Sequence, residues 1–266
     1  MNHHHSLRPF CDFGERVFDI DTEGISGSGP FFAHTIALSD VGGFEKRDFG
    51  RPFQDPTITI SPRLARLVVN TAAPAIEGCL LDPFCGLGTI LQEAMMIGLS
   101  VVGIDKQSEY VFKTKSNLNW MIKQYNVKNA RVVKLARYDA ARINEVQLPR
   151  IACVASEPIL LPTFERNPTA EIARMALNKS REIYRATMAA MARVLSHGEG
   201  HVALISPTLF DAEGRKHTLF LEDLATEAGL RPYWPKSLRK RFQYPLRLET
   251  SKKKIVQRDL NLFSSL

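Results

Sequence analysis

The chain has 266 residues, 44% of them hydrophobic and 24% charged, with a formal net charge of +7. That is enough chain to bury a substantial core. No apolar run of about eighteen residues and no signal-peptide pattern occurs, which sets aside a membrane span and makes a cytoplasmic protein the expectation. Cys11, Cys79, Cys85 and Cys153 are scattered without a Cys-x-x-Cys pair, so neither a disulfide framework nor a zinc knuckle is indicated and no metal is expected.

In chain order, His3, His4 and His5 read as a disordered start or tag remnant rather than a metal site. Arg16 to Ile20 and Phe31 to Leu38 read as two strands joined by the Gly/Ser turn at Gly24 to Pro30, a β-hairpin extension over residues 1–43. Further on, Ser61 is an N-cap candidate, Pro62 fits the first helical position, and Leu64, Leu67, Val68 and Thr71 recur at helical spacing. The apolar run Gly78 to Leu81 reads as a buried strand ending in Asp82, and Thr89 to Ile97 carries helical periodicity that stops at Gly98. Between strand and helix, Gly86 and Gly88 let the backbone turn sharply and approach a ligand, while Asp82 can accept a hydrogen bond or pair with a cation. Such a loop suits a ligand with a positive group and an adenosine. A dinucleotide fingerprint would need a third glycine three positions after Gly88, where Leu91 stands.

The alternation continues beyond this loop. Ser100 to Asp105 is a second apolar run ending in an acid, about 20 residues past the glycines, where doubly wound folds place a carboxylate on ribose hydroxyls. Ser108 to Tyr125 reads as a helix, with Trp120 and Tyr125 as core or rim. Ala130 to Ala136 and Arg150 to Glu157 read as the third and fourth strands, Thr169 to Leu195 as a long helix and His201 to Ser206 as the fifth strand. The pattern predicts an α/β fold: a Rossmann-like, doubly wound, mostly parallel sheet with an antiparallel C-terminal strand pair. Ligands of such sheets bind at the carboxyl ends of the strands, so Asp82, Asp105, Asp139 and Glu157 should converge on one edge. Taken singly, each acid could instead cap the next helix or turn.

Asp82-Pro83-Phe84-Cys85-Gly86-Leu87-Gly88-Thr89 resembles the first motif of class I S-adenosylmethionine-dependent RNA methyltransferases, most closely the THUMP-associated enzymes that methylate the exocyclic N2 of guanosine in tRNA. Lys46 to Phe53 and Ile60 to Asn70 look like the entry segment and first helix of the same group. The resemblance spans roughly Phe44 to Ser206 and makes 44–266 a class I methyltransferase domain; too little chain precedes it here for a THUMP domain. It implies S-adenosylmethionine as cofactor. Asp82 matches the position that binds the methionine amino group and Asp105, followed by Lys106, the position that binds the ribose. Pro83, Phe84, Cys85, Gly86, Gly88 and Thr89 match the loop around the cofactor, with Cys85 a small loop residue rather than a nucleophile. Tyr138 to Arg142 resembles a Gly-Asp-Ala motif, which places Asp139 and Ala140 at the adenine, and Phe53 and Ser61 match the segment that closes over the cofactor.

Ser156-Glu157-Pro158-Ile159-Leu160 stands where amino-group methyltransferases carry an Asp or Asn, two prolines and an aromatic. The resemblance makes Ser156, Glu157 and Pro158 the catalytic set: the acid and a backbone carbonyl direct the amine lone pair at the sulfonium methyl. Ile159 and Leu160 replace the second proline and the aromatic, removing a stacking partner worth about 1–3 kcal/mol per base, unless Phe164 substitutes for it. Alignment of donor, methyl and acceptor supplies much of the rate.

Residues 231–258 hold Arg231, Lys236, Arg239, Lys240, Arg241, Arg247, Lys252, Lys253, Lys254 and Arg258 against Glu249 alone, interleaved with Tyr233, Trp234, Phe242 and Tyr244. That pattern fits a surface tracking the backbone of an RNA, with aromatic stacking platforms, or a final strand pair with solvated lysines. The expected function is methylation of RNA, at a guanosine N2 in tRNA, with capture through this surface or through an activating or RNA-binding partner subunit. The alternatives are a catalytically silent S-adenosylmethionine-binding RNA-binding or scaffold protein, an amino-methyltransferase of DNA or rRNA, and a dinucleotide-dependent oxidoreductase, which Leu91 disfavours.

Overall fold

Alternating apolar runs and helices give parallel pairing here. Strands β1 (Cys79–Asp82), β2 (Ser100–Asp105), β3 (Val132–Arg137), β4 (Ile151–Ser156) and β5 (His201–Phe210) run parallel in the order β3-β2-β1-β4-β5. The sheet continues through β9 (Val256–Ser265) and β7 (Leu230–Pro232), both antiparallel to their neighbours, while β6 (Lys216–Thr218) pairs with β5 and β8 (Leu246–Arg247) with β9. The doubly wound sheet with its antiparallel C-terminal strands is therefore as expected. This computed structural model describes residues 40–55, 59–72, 78–158, 161–162, 164–195, 200–235, 242–248 and 255–265. The expected N-terminal hairpin lies outside the described residues, as do Ile159, Leu160, Lys236, Arg239, Lys240, Arg241 and Lys252 to Lys254.

Side chains of successive strand residues point to opposite faces, and the core divides accordingly. Leu80, Val101, Cys153 and Ala203 pack under α2 (Pro62–Ala72), α3 (Thr89–Met96) and α4 (Ser108–Tyr125), whose Val68, Leu91 and Leu118 are fully buried. On the other face, Leu81, Val154 and Val202 pack under α5 (Ala170–Val194) and α6 (Glu222–Glu227), with Tyr184, Met188 and Leu224 buried. The short α1 (Val41–Phe49) precedes this layered unit. Helix starts follow the expected chemistry: Ser61 Oγ accepts from Leu64 N at 3.4 Å, Pro62 occupies the first position of α2, and Thr169 Oγ1 accepts from Ile172 N at the start of α5. Trp120 and Tyr125 meet edge to face at 6.2 Å on the rim of the first core. Among the described residues no helix is long and apolar enough to cross a membrane.

Tyr233 stacks on His201 with ring centroids 4.5 Å apart, and Trp234, 9% exposed, meets Tyr244 edge to face at 5.3 Å. Trp234 is buried and Tyr233 and Tyr244 are partly buried against the sheet around β7, β8 and β9, while Phe242 is 47% exposed. The described arginines of this region are also engaged: Arg231 donates to Ser264, Arg247 pairs with Asp259 and donates to Gln257, and Arg258 pairs with Glu157. An aromatic interleaved with basic residues has the same spacing whether it covers a sheet or meets a base, and here the uncovered last strands needed the apolar area.

Candidate functional site

The loop after β1 is built by left-handed glycines and pinned by α4. Gly86 has φ 51° and Gly88 φ 83°, a region L side chains rarely adopt, and a Cβ on Gly88 would lie 2.9 Å from Thr114 Cγ2. Thr114 Oγ1 donates to the Gly86 carbonyl at 2.6 Å, while Gly86 N donates to Asp105 Oδ2 at 3.0 Å. Leu91, where a dinucleotide fold would put its third glycine, is accommodated from the strand side: a Cβ on Gly103 of β2 would come within 2.6 Å of Leu91 Cδ1. Here the small residue lies in the strand and the large one in the helix.

Asn117, fully buried on α4, does the most to shape the loop. Its Nδ2 donates to the carbonyls of Leu87 at 2.9 Å and Phe53 at 3.0 Å, and its Oδ1 accepts from Phe53 N at 2.9 Å. One amide thus ties the entry segment to the glycine loop. Asn117→Ala strips a partner from three backbone groups, each worth about 1–3 kcal/mol if left buried and unpaired. The expected result is a loss of about 2–4 kcal/mol in denaturant unfolding and weaker ligand binding at the loop; a variant within 0.5 kcal/mol of wild type would contradict this role.

The four strand-end acids do share the carboxyl edge of the sheet, in four different states. Asp82 is 1% exposed, and its Oδ1 accepts from Ser156 Oγ at 2.6 Å and Phe84 N at 3.1 Å. Burial pushes its carboxyl up to about 7, the two hydrogen bonds offsetting only part of this, with Asp105 and Glu157 adding like-charge repulsion. Asp105 accepts from Gly86 N and Gln107 N, leaving further lone pairs on its two oxygens. Asp139 caps the short 3₁₀ helix Ala140–Glu145 by accepting from Ala141 N at 3.0 Å, which holds its carboxyl below the usual range; Lys106 Nζ lies 3.2 Å from it. Glu157 pairs with Arg258, 101 residues along the chain.

A small cleft opens among Thr59, Ile60, Asp82, Phe84, Cys85, Gly86, Leu87, Thr89, Ile90 and Glu157. Six residues singled out in the sequence therefore line it: Asp82, Phe84, Cys85, Gly86, Thr89 and Glu157. Phe53, Ser61, Pro83, Gly88, Asp105, Lys106, Asp139, Ala140, Ser156, Pro158 and Phe164 are not among the lining residues described. Several of these support it instead. Ser156 is fully buried and gives its hydroxyl to Asp82, Gly88 makes the turn into α3, and Phe53 packs edge to face on Phe112 at 5.9 Å. Thr59 and Ile60 wall the cleft where Phe53 and Ser61 were expected. Cys85 is 4% exposed and burial raises its thiol well above the usual range, as befits an inert loop residue.

Behind the cleft, two arginines fasten α3 to the entry segment and α2. Arg47 Nε meets Glu93 Oε1 at 2.6 Å and Arg66 Nη2 meets Glu93 Oε2 at 2.7 Å, with Glu93 fully buried. Arg51 Nη1 donates to Thr89 Oγ1 at 2.7 Å in the first turn of α3. Sequence periodicity showed none of these partners, because each joins residues 27 to 46 positions apart through side chains common on any helix surface.

The strand order and the glycine loop after β1 give a Rossmann-like fold of the methyltransferase type. TrmN from Thermus thermophilus matches it with a TM-score of 0.50 and 17% identity, over 78% of this chain and 49% of that one. NSun6 from Pyrococcus horikoshii matches with a TM-score of 0.51 and 15% identity, over 92% and 62%. More particularly, residues 50–158 match the family model described as UPF0020: RMKL-like, methyltransferase domain. A Pyrococcus abyssi protein named tRNA (guanine(10)-N2)-dimethyltransferase is 34% identical over 169 residues, 63% of this chain and 44% of that protein. One of the same name from Methanothermobacter thermautotrophicus is 30% identical over 169 residues, 64% and 44%. The chain spans less than half the length of these curated relatives. The resemblance carried by Asp82 to Thr89 is borne out.

Proposed function

We propose that this chain is an S-adenosylmethionine-dependent methyltransferase acting on RNA, at the exocyclic N2 amine of a guanosine in tRNA, with 44–266 as its catalytic domain and 1–43 as an extension. The observation that carries it is the meeting of Asp82 and Glu157 on one cleft at the ends of adjacent parallel strands. The names of the relatives direct it to tRNA guanine.

The residues present fit the donor. A buried carboxyl with a raised pKa gains most from a cation, and the methionine ammonium supplies one to Asp82. Pro83, Phe84, Cys85, Gly86, Gly88 and Thr89 form the turn around the methionine end. Asp105 retains lone pairs for the ribose beside Lys106; Asp139 and Ala140 serve the adenine side; Phe53 and Ser61 hold the covering segment. When bound, S-adenosylmethionine supplies an electrophilic methyl on a sulfonium. Glu157 and the Pro158 carbonyl then accept hydrogen bonds from the substrate amine and align its lone pair, with Ser156 fixing Asp82 in place. The basic chain around 236–254, or a partner subunit, supplies phosphate contacts. A cytoplasmic setting accords with this role.

One observation favours a second reading: the Glu157 carboxylate already holds an arginine, as in a protein that binds the donor without transferring methyl. Labelling of bulk tRNA from a methyl-labelled donor separates the two. Wild type should label it, and Glu157→Ala should be slower by about 100-fold or more. Equal labelling by both removes Glu157 from the mechanism; none by either leaves the silent binder. Tight NAD binding without any response to S-adenosylmethionine in calorimetry would overturn both.

A further inference from the structure

We infer that Arg258 is a positioning residue for methyl transfer, holding Glu157 against the antiparallel C-terminal strand so that the substrate amine meets an acceptor set in place before binding. This rests on the function proposed above and adds a specific part to it. Arg258 lies on β9 opposite Pro207 of β5, and its Nε donates to Glu157 Oε1. Their side chains are only 18% and 10% exposed, so the contact is largely out of water, where a charge-assisted hydrogen bond fixes geometry well. Glu157 lines the cleft, and its carboxylate is held by a guanidinium carried on β9.

Two further features make Arg258 a firm anchor. Strand β9 is paired with β5 at nine consecutive positions, His201↔Ser264 to Leu209↔Val256, so its backbone is among the best-held in the sheet. The neighbours of Arg258 are also tied on the opposite face: Arg247 pairs with Asp259 and donates to Gln257, and Asp259 accepts from Thr208. A glutamate is one methylene longer than the aspartate or asparagine usual in the motif this segment resembles, with one more torsion to fix at each turnover. An arginine gripping one oxygen removes that freedom.

The test uses the full chain, S-adenosylmethionine and tRNA. Arg258→Met should lower kcat by roughly 10–100-fold while the KM for the donor stays within about threefold, because the Asp82 loop is untouched. Arg258→Lys should recover part of kcat. In Glu157→Ala the arginine should no longer matter, so Glu157→Ala/Arg258→Met should have the kcat of Glu157→Ala. Calorimetric donor affinity monitors the fold. If Arg258→Met does not fold, the double variant, which removes both charges, carries the comparison by itself. Wild-type kcat in Arg258→Met, a loss that multiplies with that of Glu157→Ala, or a parallel loss of donor affinity overturns the inference while wild-type transfer still stands. No transfer by wild type overturns the proposed function, and the inference with it.

Discussion

Asp82→Asn should make the ligand-free protein more stable at pH 8 and weaken its hold on S-adenosylmethionine by about a hundredfold or more. The Asp82 carboxyl stands at about 7 in the fold against 3.8 for the unfolded chain, raised chiefly by burial. Because the folded value is the higher one, the folded state prefers the protonated acid. Stability is fully present below about pH 4 and is lost as pH rises toward 7, where the unfolded chain ionises and the fold resists, a total of about 4 kcal/mol. Asparagine removes that titration. Ser156 and Phe84 both donate to Oδ1, so the amide oxygen keeps both partners. Thermal unfolding should show the variant ahead by roughly 5–10 °C at pH 8 and level with wild type near pH 4. Donor affinity should move oppositely. In the proposed site the ammonium requires ionised Asp82, so wild-type affinity should climb about tenfold per pH unit from roughly pH 5 to 7, and the variant should show no such slope, having lost a buried charge pair worth about 2–5 kcal/mol. Parallel pH profiles for the two proteins would contradict this account of the loop.

Glu93→Gln should be the most destabilising substitution on the helical face. Glu93 is fully buried on α3, and both its oxygens are taken: Oε1 by Arg47 and Oε2 by Arg66. Arg47 is itself 2% exposed and lies over the rings of Phe44 and Tyr125 at 4.7 and 5.5 Å. Neutralising a buried carboxylate shared by two arginines removes charge compensation inside the fold, a loss of about 3–5 kcal/mol. Thermal unfolding should fall by on the order of 10 °C. Arg66→Gln should cost far less, since Arg66 is 23% exposed and Glu93 keeps Arg47 as its counter-charge. Equal losses in the two variants would mean the network does not hold α3 as described.

These two residues also show what a sequence can and cannot reveal. Asp82 was legible because its signal is local: an apolar run, an acid at its end and two glycines within six positions specify a strand, a turn and a helix together. Gly88 and Gly86 indeed adopt the positive φ that the turn requires. Helix α4 fills the predicted Ser108 to Tyr125, since its apolar spacing and the αL residue Asn126 after it are likewise local. The partners of Glu93, Asn117, Thr114, Arg51 and Arg258 were missed because they lie 27 to 101 residues away and these residue types are ordinary for the outside of a helix or strand. The ring contacts of the C-terminal region have the same origin: Tyr233 meets His201 and Trp234 meets Tyr244 only through the folding of β7 and β9 alongside β5.

The central claim is that Asp82 and Glu157 bring a methyl donor and an exocyclic amine together. Mass spectrometry of nucleosides from tRNA incubated with the protein and methyl-labelled S-adenosylmethionine tests it most directly, since it identifies base and atom at once. The account predicts label on guanosine N2, absent when Glu157→Ala replaces the wild type. Label confined to a ring carbon or a ribose oxygen, or undiminished in the variant, would contradict it.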